Sequence, residues 1–302
     1  MSEVKRAKVR KAVLPVAGLG TRFLPVTKAI PKEMLPIVDV PSIQLIVEEC
    51  VGAGIEEIIL VTARGKSALE DHFDRAGELE ALLEKRGKTA DLALARKPAQ
   101  LARVIAVRQA EARGLGHAVL CAREAVGDEP FAVVLGDDLL DARVPGVRQV
   151  VDVYERWGTG VVGLKEVPAG HEHMYGIIEG KNVGGREWKV SRMVEKPAPG
   201  TAPSRLAAIG RYVLPAEIFE ILAQTAPGRG GEIQLTDGLA TLCGRSGLHG
   251  VEMAGQRFDA GDRAGYVLAQ LHWALKRGEI ADEVRAGAKR ILEATPDPES
   301  GA

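Results

Sequence analysis

The chain has 302 residues, of which 46% are hydrophobic and 27% charged, with a formal net charge of −1. That is an ordinary globular balance, long enough to bury a sizeable core without disulfide staples, and its near-neutral charge removes any whole-molecule attraction to nucleic acid or anionic membrane. An aromatic content of 4% argues against a base-stacking surface, and three widely spaced cysteines, Cys50, Cys121 and Cys243, fit buried thiols in a reducing cytoplasm rather than a structural zinc site.

Lys5, Arg6, Lys8, Arg10 and Lys11 precede an apolar run from Ala12 to Leu19, superficially like a signal peptide. The run is short and passes into Gly20-Thr21-Arg22 without a small-residue cleavage pattern, so residues 9–17 read as a first strand. A Gly-rich turn follows. Then come a helix over 42–53, a strand over Glu56–Thr62, a charged helix over 77–86 and a short strand over Ala90–Ala95. A helix over 116–126 leads to a β-branched strand, Phe131–Leu135, that ends at Gly136-Asp137-Asp138. This rhythm predicts a parallel sheet with helices on both faces, where ligands gather at the carboxyl ends of strands. Gly18–Arg22 and Asp137-Asp138 each sit at such an end.

The second half is richer in strands, expected at Gly160–Val167, Tyr175–Glu179, Lys189–Val194 and Ala207–Leu214, with helices over 215–224 and 236–244. Two amphipathic helices close the chain, one presenting Leu268, Leu271 and Leu275 and the other Val284, Ala288, Ile291 and Leu292. A tail over 295–302 carries two prolines and is expected to be disordered. No apolar run approaches the length of a membrane span. The fold class is therefore α/β: a Rossmann-like mixed, mainly parallel sheet flanked by helices, with a smaller β-rich part and C-terminal helices.

The segment from Leu14 to Pro36 is the richest in chemistry. Gly18 and Gly20 lack a Cβ, so the backbone there can turn tightly and set its N–H groups against an anion. Arg22, Lys28 and Lys32 follow within reach. Taken alone, two glycines after a strand are only a turn; the cations and the three prolines shift the balance toward phosphate binding. The loop is not a Walker A motif, and Phe23 stands where a dinucleotide fingerprint needs its third glycine. A GxGxxG does occur at Gly158–Gly163, but it leads into a strand instead of opening a helix, which excludes a dinucleotide site there. His171-Glu172-His173 lacks metal-ligand spacing and reads as a loop, and Glu232–Asp237 reads as a helix start with Thr236 as its cap.

The loop resembles the GxGTR…PK signature of the sugar-nucleotide pyrophosphorylase family. The likeness continues in order through Gly114-Leu-Gly-His-Ala118, Gly127-Asp-Glu-Pro130, Tyr175-Gly176 and Val194-Glu-Lys-Pro197, then Gly210-Arg-Tyr-Val213, Gly231–Asp237 and Phe258-Asp-Ala-Gly261. Each motif alone is weak; the ordered set, spanning roughly residues 10 to 270, resembles the bacterial branch that uses UTP and glucose-1-phosphate. The resemblance implies one domain over 1–294, with a nucleotide-binding part at 8–140, a sugar-binding part at 141–262 and C-terminal helices at 263–294. It implies that Ala17 and Gly18 lie near the nucleotide, that Arg22 and Lys32 grip the β- and γ-phosphates, and that Glu33 and Gln109 read the uracil edge, with Gly114 allowing close backbone approach. Asp137 and Asp259 would hold Mg²⁺, a cation that prefers hard oxygens and keeps several waters. Glu195 would bind glucose hydroxyls, Lys196 the sugar phosphate, and Gly176 and the backbone at Ile209 would line the sugar pocket. One departure is Gly136, where relatives often carry Pro or Ala; a glycine loosens that turn without removing a ligand. For Asp138 the residues themselves favour a turn aspartate.

The expected reaction is direct in-line displacement, in which the phosphate of glucose-1-phosphate attacks the α-phosphorus of UTP and pyrophosphate leaves. The nucleophile is already an anion, so no general base is required; the obstacle is anion–anion repulsion, which Arg22, Lys32, Lys196 and Mg²⁺ would offset. Two alternatives remain at this point: a thymidylyltransferase using dTTP, since one methyl group discriminates by only ~1–3 kcal/mol, and a catalytically silent nucleotide-sugar sensor. The C-terminal helices offer a face for a second subunit, and the resemblance implies a homodimer or homotetramer.

Overall fold

Phe131–Val134 is buried at every residue, and its side chains alternate between two cores. Phe131 and Val133 join one cluster with Val13, Ile59 and Val61, while Ala132 and Val134 join the other with Ala12, Leu14, Ile58 and Leu60. Three neighbouring strands that each feed both faces must be sandwiched between helices, because neither face can be left to water. The computed structural model describes residues 7–295 and has this architecture.

The strands in chain order are β1 (Lys11–Pro15), β2 (Pro36–Ile37), β3 (Val40–Pro41), β4 (Glu57–Thr62), β5 (Arg103–Arg108) and β6 (Phe131–Val134). They continue with β7 (Asp138–Asp141), β8 (Gly160–Glu166), β9 (Gly176–Gly184), β10 (Glu187–Glu195), β11 (Leu206–Leu214), β12 (Leu248–Glu252) and β13 (Gln256–Asp259). Nine of them form one sheet in the order β5-β4-β1-β6-β11-β8-β12-β10-β9. The first four run parallel. β11 then enters antiparallel to β6, and the remaining strands are mixed. β9 also bridges back to β11 at Ile177↔Ala207, so the β-rich half closes on itself. Helices Ser42–Gly52, Ser67–Phe73 and Gly146–Trp157 pack on one face; Leu115–Cys121, Glu217–Gln224 and Leu235–Arg245 pack on the other. The expected mixed α/β fold is the one observed, but the sheet is not mainly parallel: four of its eight neighbouring strand pairs are antiparallel, because β11 enters against β6 and the β-rich half follows it.

Several expectations need correction. Ala90–Ala95 is not a strand; it lies in the helix Thr89–Arg96. Alternating Ala and Leu imitates a strand, but both are strong helix formers and only Leu92 is buried. The single helix expected over 116–126 is two short ones, Leu115–Cys121 and Arg123–Val126, divided at Ala122. Thr236 does not cap its helix, which begins at Leu235 behind Gln234. The C-terminal helices run Arg263–Leu275 and Ala281–Ala294. The expected tail lies, beyond Thr295, outside the described residues. Among the described residues no helix is long and apolar enough to cross a membrane.

Candidate functional site

β1 and β6 are adjacent and parallel, paired from Lys11↔Phe131 to Val13↔Val133, so the chain leaves both at the same edge of the sheet. Residues 16–22 leave β1 there, and Leu135-Gly136-Asp137 leaves β6. The space beside Gly18 is open: a Cβ built on it would meet nothing within 4 Å, which leaves its backbone accessible, and Ala17 before it is nearly buried. The short 3₁₀ turn Lys32–Met34 then brings Lys32 back, and its Nζ donates to Asp137 Oδ2.

The second carboxylate arrives on the ribbon of β7 and β13, where Asp259 lies opposite Asp138. Gly261 sits between the two acids: a Cβ there would stand 2.6 Å from Asp137 Oδ2 and 3.0 Å from Asp259 Oδ1. The Gly261 amide donates to Asp259 Oδ1 at 3.0 Å, and its carbonyl accepts from Arg22 Nη1 at 3.3 Å. Arg22, Lys32, Asp137 and Asp259, far apart in sequence, therefore meet at one place. Burial pushes the Asp259 carboxyl up, and the facing charge of Asp137 adds to this against the pull of Arg257. Burial also acts to raise Asp137, but Lys32 outweighs it and leaves that carboxyl below its ordinary value. Lys32 is correspondingly raised, its burial outweighed by Asp137 and Glu33.

Two carboxylates converging on one point, with one of them resisting ionisation beside the other, make a pair that a hard divalent cation would relieve. Among the described residues no group of three or more His, Cys, Asp or Glu could hold a metal. Two acids nevertheless fit a cation whose remaining positions are taken by substrate phosphates and water. Asp138 is not part of the pair. It is 4% exposed, accepts from Arg257 Nε at 2.9 Å and from the Gly210 amide at 3.1 Å, and so locks β11 and β13 to the metal-side loop. That is more than the turn aspartate expected of it.

Glu33 and Gln109, expected at the uracil edge, are both buried. Glu33 is 1% exposed and faces inward, where Lys66 Nζ donates to its Oε2 at 3.0 Å. Its other oxygen, Oε1, lies 4.0 Å from Lys32 Nζ, so two lysines flank this carboxylate. Burial raises the Glu33 carboxyl, against Lys66 and Lys32. Gln109 is buried at 6% exposure; its Nε2 donates to the Gly114 carbonyl at 3.2 Å and lies 2.9 Å from His117 Nδ1. Gly114, with φ of 96°, does allow a close approach, but of protein: a Cβ would stand 2.8 Å from the Ile233 carbonyl. Gly136 has a steric reason of its own, since a Cβ there would press on Glu33 Cγ and Val16 Cγ1 at 3.2 and 3.3 Å.

On the sugar side, Glu195 ends β10 opposite Gly176 on β9. Thr236 Oγ1 donates to Glu195 Oε2 at 2.6 Å, and a Cβ on Gly176 would stand 2.9 Å from that hydroxyl. Thr236, expected as a cap, instead holds the Glu195 carboxylate. Lys196 has φ of 41°, an uncommon conformation for a side-chain-bearing residue. Its amide donates to the Tyr175 carbonyl at 3.0 Å, and its Nζ lies 3.3 Å from Glu195 Oε1. The Tyr175 ring lies under Arg257 at 5.5 Å, which connects this side to Asp138 and Asp259. Ile209 is buried at the irregularity in β11, next to the Gly210 that Asp138 holds. Sequence reasoning missed Lys66, Arg257 and Gly261. Only Gly261 carried a local signal, as the end of Phe258-Asp-Ala-Gly261.

Known proteins resemble this chain over nearly its whole length. The model of the nucleotidyl transferase family matches residues 11–273. A UTP–glucose-1-phosphate uridylyltransferase of Bacillus subtilis is 51% identical over 277 residues, covering 92% of this chain and 95% of that one. Among solved structures, a UTP-bound UGPase from Acinetobacter baumannii superposes with a TM-score of 0.85 at 42% identity, over 95% of this chain and all of that one. A UDP-glucose pyrophosphorylase complexed with UDP-glucose superposes with a TM-score of 0.81 at 40% identity, over 89% of this chain and all of that one.

Proposed function

The chain belongs to the nucleotidyl transferase family, with the UTP–glucose-1-phosphate uridylyltransferases among its relatives, and we propose that it performs their reaction with the residues described above. It transfers a uridylyl group from UTP to glucose-1-phosphate, giving UDP-glucose and pyrophosphate. The observation that carries the residue assignment is the convergence of Asp137, Asp259, Lys32 and Arg22 at the shared edge of β1 and β6.

Phosphoryl and nucleotidyl transfer depend on positioning and on charge stabilisation. The backbone at Ala17 and Gly18, open beside Gly18, takes the nucleotide, and Arg22 and Lys32 hold the β- and γ-phosphates. Gln109 and the backbone around Gly114 border the base, while Glu33 supports the site from beneath. Gly176, Glu195 and the backbone at Ile209 orient glucose, and Lys196 holds the attacking phosphate against repulsion from the triphosphate. Asp137 and Asp259 would hold the divalent cation that this family uses. Two hard oxygen donors without nitrogen or sulfur favour Mg²⁺, which when bound neutralises phosphate charge. Three free thiols support a reducing, cytoplasmic setting. Val267, Leu268, Ile291 and Leu292, exposed on the C-terminal helices, support a homodimer or homotetramer. The division into parts at residues 8–140, 141–262 and 263–294 follows the same assignment of nucleotide, sugar and helical roles.

The dTTP reading and the silent-sensor reading are not favoured. The test is a matrix of five nucleoside triphosphates against glucose- and galactose-1-phosphate, with Mg²⁺ or with EDTA, read as pyrophosphate and sugar nucleotide. UTP with glucose-1-phosphate is expected to give the highest kcat/KM, abolished by EDTA. Absence of UDP-glucose under Mg²⁺, or preference for dTTP, overturns the proposal.

A further inference from the structure

Lys66 has no part in the reaction as described, yet it is a buried cation at the back of the site. It follows β4 on the loop Ala63–Lys66 and is 7% exposed. Its ammonium makes two contacts. One is to the carbonyl of Val16, the residue immediately before Ala17 and Gly18; the other is to Glu33 Oε2 at 3.0 Å, the residue immediately after Lys32. Glu33 is fixed in turn, since its own carbonyl accepts from Ser42 Oγ at 3.0 Å. Glu33 Oε1 lies 4.0 Å from Lys32 Nζ, which holds Asp137. The charges therefore alternate without a gap: Lys66, Glu33, Lys32, Asp137.

We propose that Lys66 is a positioning residue for UTP, its one ammonium clamping the nucleotide-binding backbone at Val16 and the Lys32–Met34 turn into a single register. This rests on the uridylyl-transfer reading. Burying an ion pair gains little for folding, since an apolar pair of similar volume often serves as well or better. Burial lowers the affinity of Lys66 for its proton, so the charge is kept at a cost. The carbonyl at Val16 needs a donor at that place, and a point-like ammonium can serve a carbonyl and a carboxylate at once. Ala17–Gly18 and Lys32 are meant to grip parts of one triphosphate, so an error in their relative placement falls on UTP and spares the sugar phosphate, held by β9–β11.

The test separates this role from structural support. Wild-type affinities for UTP and glucose-1-phosphate come first, by calorimetry and steady-state kinetics, so a failure of the function reading shows there. Lys66→Met removes the nearer of the two cations that flank buried Glu33, leaving only Lys32 at 4.0 Å, and is expected to melt low. The double variant Lys66→Met/Glu33→Met removes both charges and is expected to recover the melting temperature. In the recovered double variant, UTP should bind about tenfold to a hundredfold more weakly, with glucose-1-phosphate KM nearly unchanged. Recovery of UTP affinity together with the melting temperature overturns the proposal, as does equal weakening of both substrates. If the double variant does not regain stability, Lys66→Arg decides: it keeps the charge but not the compact two-partner geometry, and wild-type UTP affinity in it overturns the proposal equally.

Discussion

Lys32 donates from its ammonium to Asp137 Oδ2, so the lysine assigned to the triphosphate and the aspartate assigned to the metal hold each other. The pair is largely screened from solvent, with the Lys32 and Asp137 side chains 21% and 28% exposed. Neither can take up its assigned role without loosening this contact. On the proposed assignment the ammonium would compete for the position a cation takes beside Asp137, and bound phosphates would supply the charge that draws it away.

This gives a binding prediction independent of turnover. In Lys32→Met, Asp137 and Asp259 face each other without the competing ammonium, so Mn²⁺ used as a spectroscopic probe should bind the nucleotide-free protein roughly tenfold more tightly than wild type, the equivalent of ~1.4 kcal/mol. UTP affinity should fall in the same variant. Electron paramagnetic resonance titration of Mn²⁺ checks it; unchanged or weaker Mn²⁺ binding would show that Lys32 and the metal do not compete.

Gly261 offers a second handle on the same pair of acids. A Cβ added to it would stand 2.6 Å from Asp137 Oδ2 and 3.0 Å from Asp259 Oδ1. Both contacts are with side-chain ends that can swing aside, so Gly261→Ala is expected to fold with a nearly unchanged melting temperature. The displaced carboxylates should then raise the Mg²⁺ concentration for half-maximal activity by roughly tenfold, about 1.4 kcal/mol of binding. Gly244→Ala is the control, because a Cβ at Gly244 meets nothing within 4 Å. Identical Mg²⁺ dependence in the two variants would remove Gly261 from the metal site.

Lys196 is held in its left-handed conformation by its amide's hydrogen bond to Tyr175, and its ammonium lies beside Glu195. A cation that acts on charge developing in the transition state should affect kcat more than KM. Lys196→Ala is expected to lower kcat by ~10²–10³-fold, or roughly 3–4 kcal/mol. Steady-state kinetics with both substrates varied measures it; near-normal kcat with only a raised glucose-1-phosphate KM would reduce Lys196 to ground-state binding.

What could be read from the sequence was local. The strands ending at Gly18–Arg22 and at Asp137 were visible as apolar runs stopped by Gly and Asp, and parallel pairing then required both ends to share an edge. The helix Gly146–Trp157, not among the expected elements, carries an equally local signal, with Val147, Val150, Val151 and Tyr154 at helical spacing and all buried. The inward turn of Glu33 was not legible, because it depends on Lys66, thirty-three residues away and carrying no motif. Arg257 likewise has its meaning only through Asp138, which β13 brings opposite by pairing with β7. Charge partners fixed by tertiary contact leave no periodicity behind.

The scaffold behind the site contains a second buried pair of this kind. Arg211 on β11 is 1% exposed; its Nε donates to Glu49 Oε1 at 2.8 Å and its Nη2 to Glu49 Oε2 at 2.6 Å. Burial acts against the Arg211 charge, but Glu49 outweighs it and raises the pKa. Glu49 Oε1 also accepts from the Val147 amide at 2.9 Å, so one carboxylate joins helix Ser42–Gly52, helix Gly146–Trp157 and β11. Arg211→Met strands that carboxylate beneath the sheet, which should cost ~3–5 kcal/mol and lower the melting temperature by about 5–8 °C. Arg211→Met/Glu49→Leu leaves no buried charge and should regain most of the loss, short of what the Val147 amide forfeits. Calorimetric melting of the two variants decides: a double variant no more stable than the single one would mean that Arg211 contributes by filling space, and that its pairing with Glu49 is incidental to the fold.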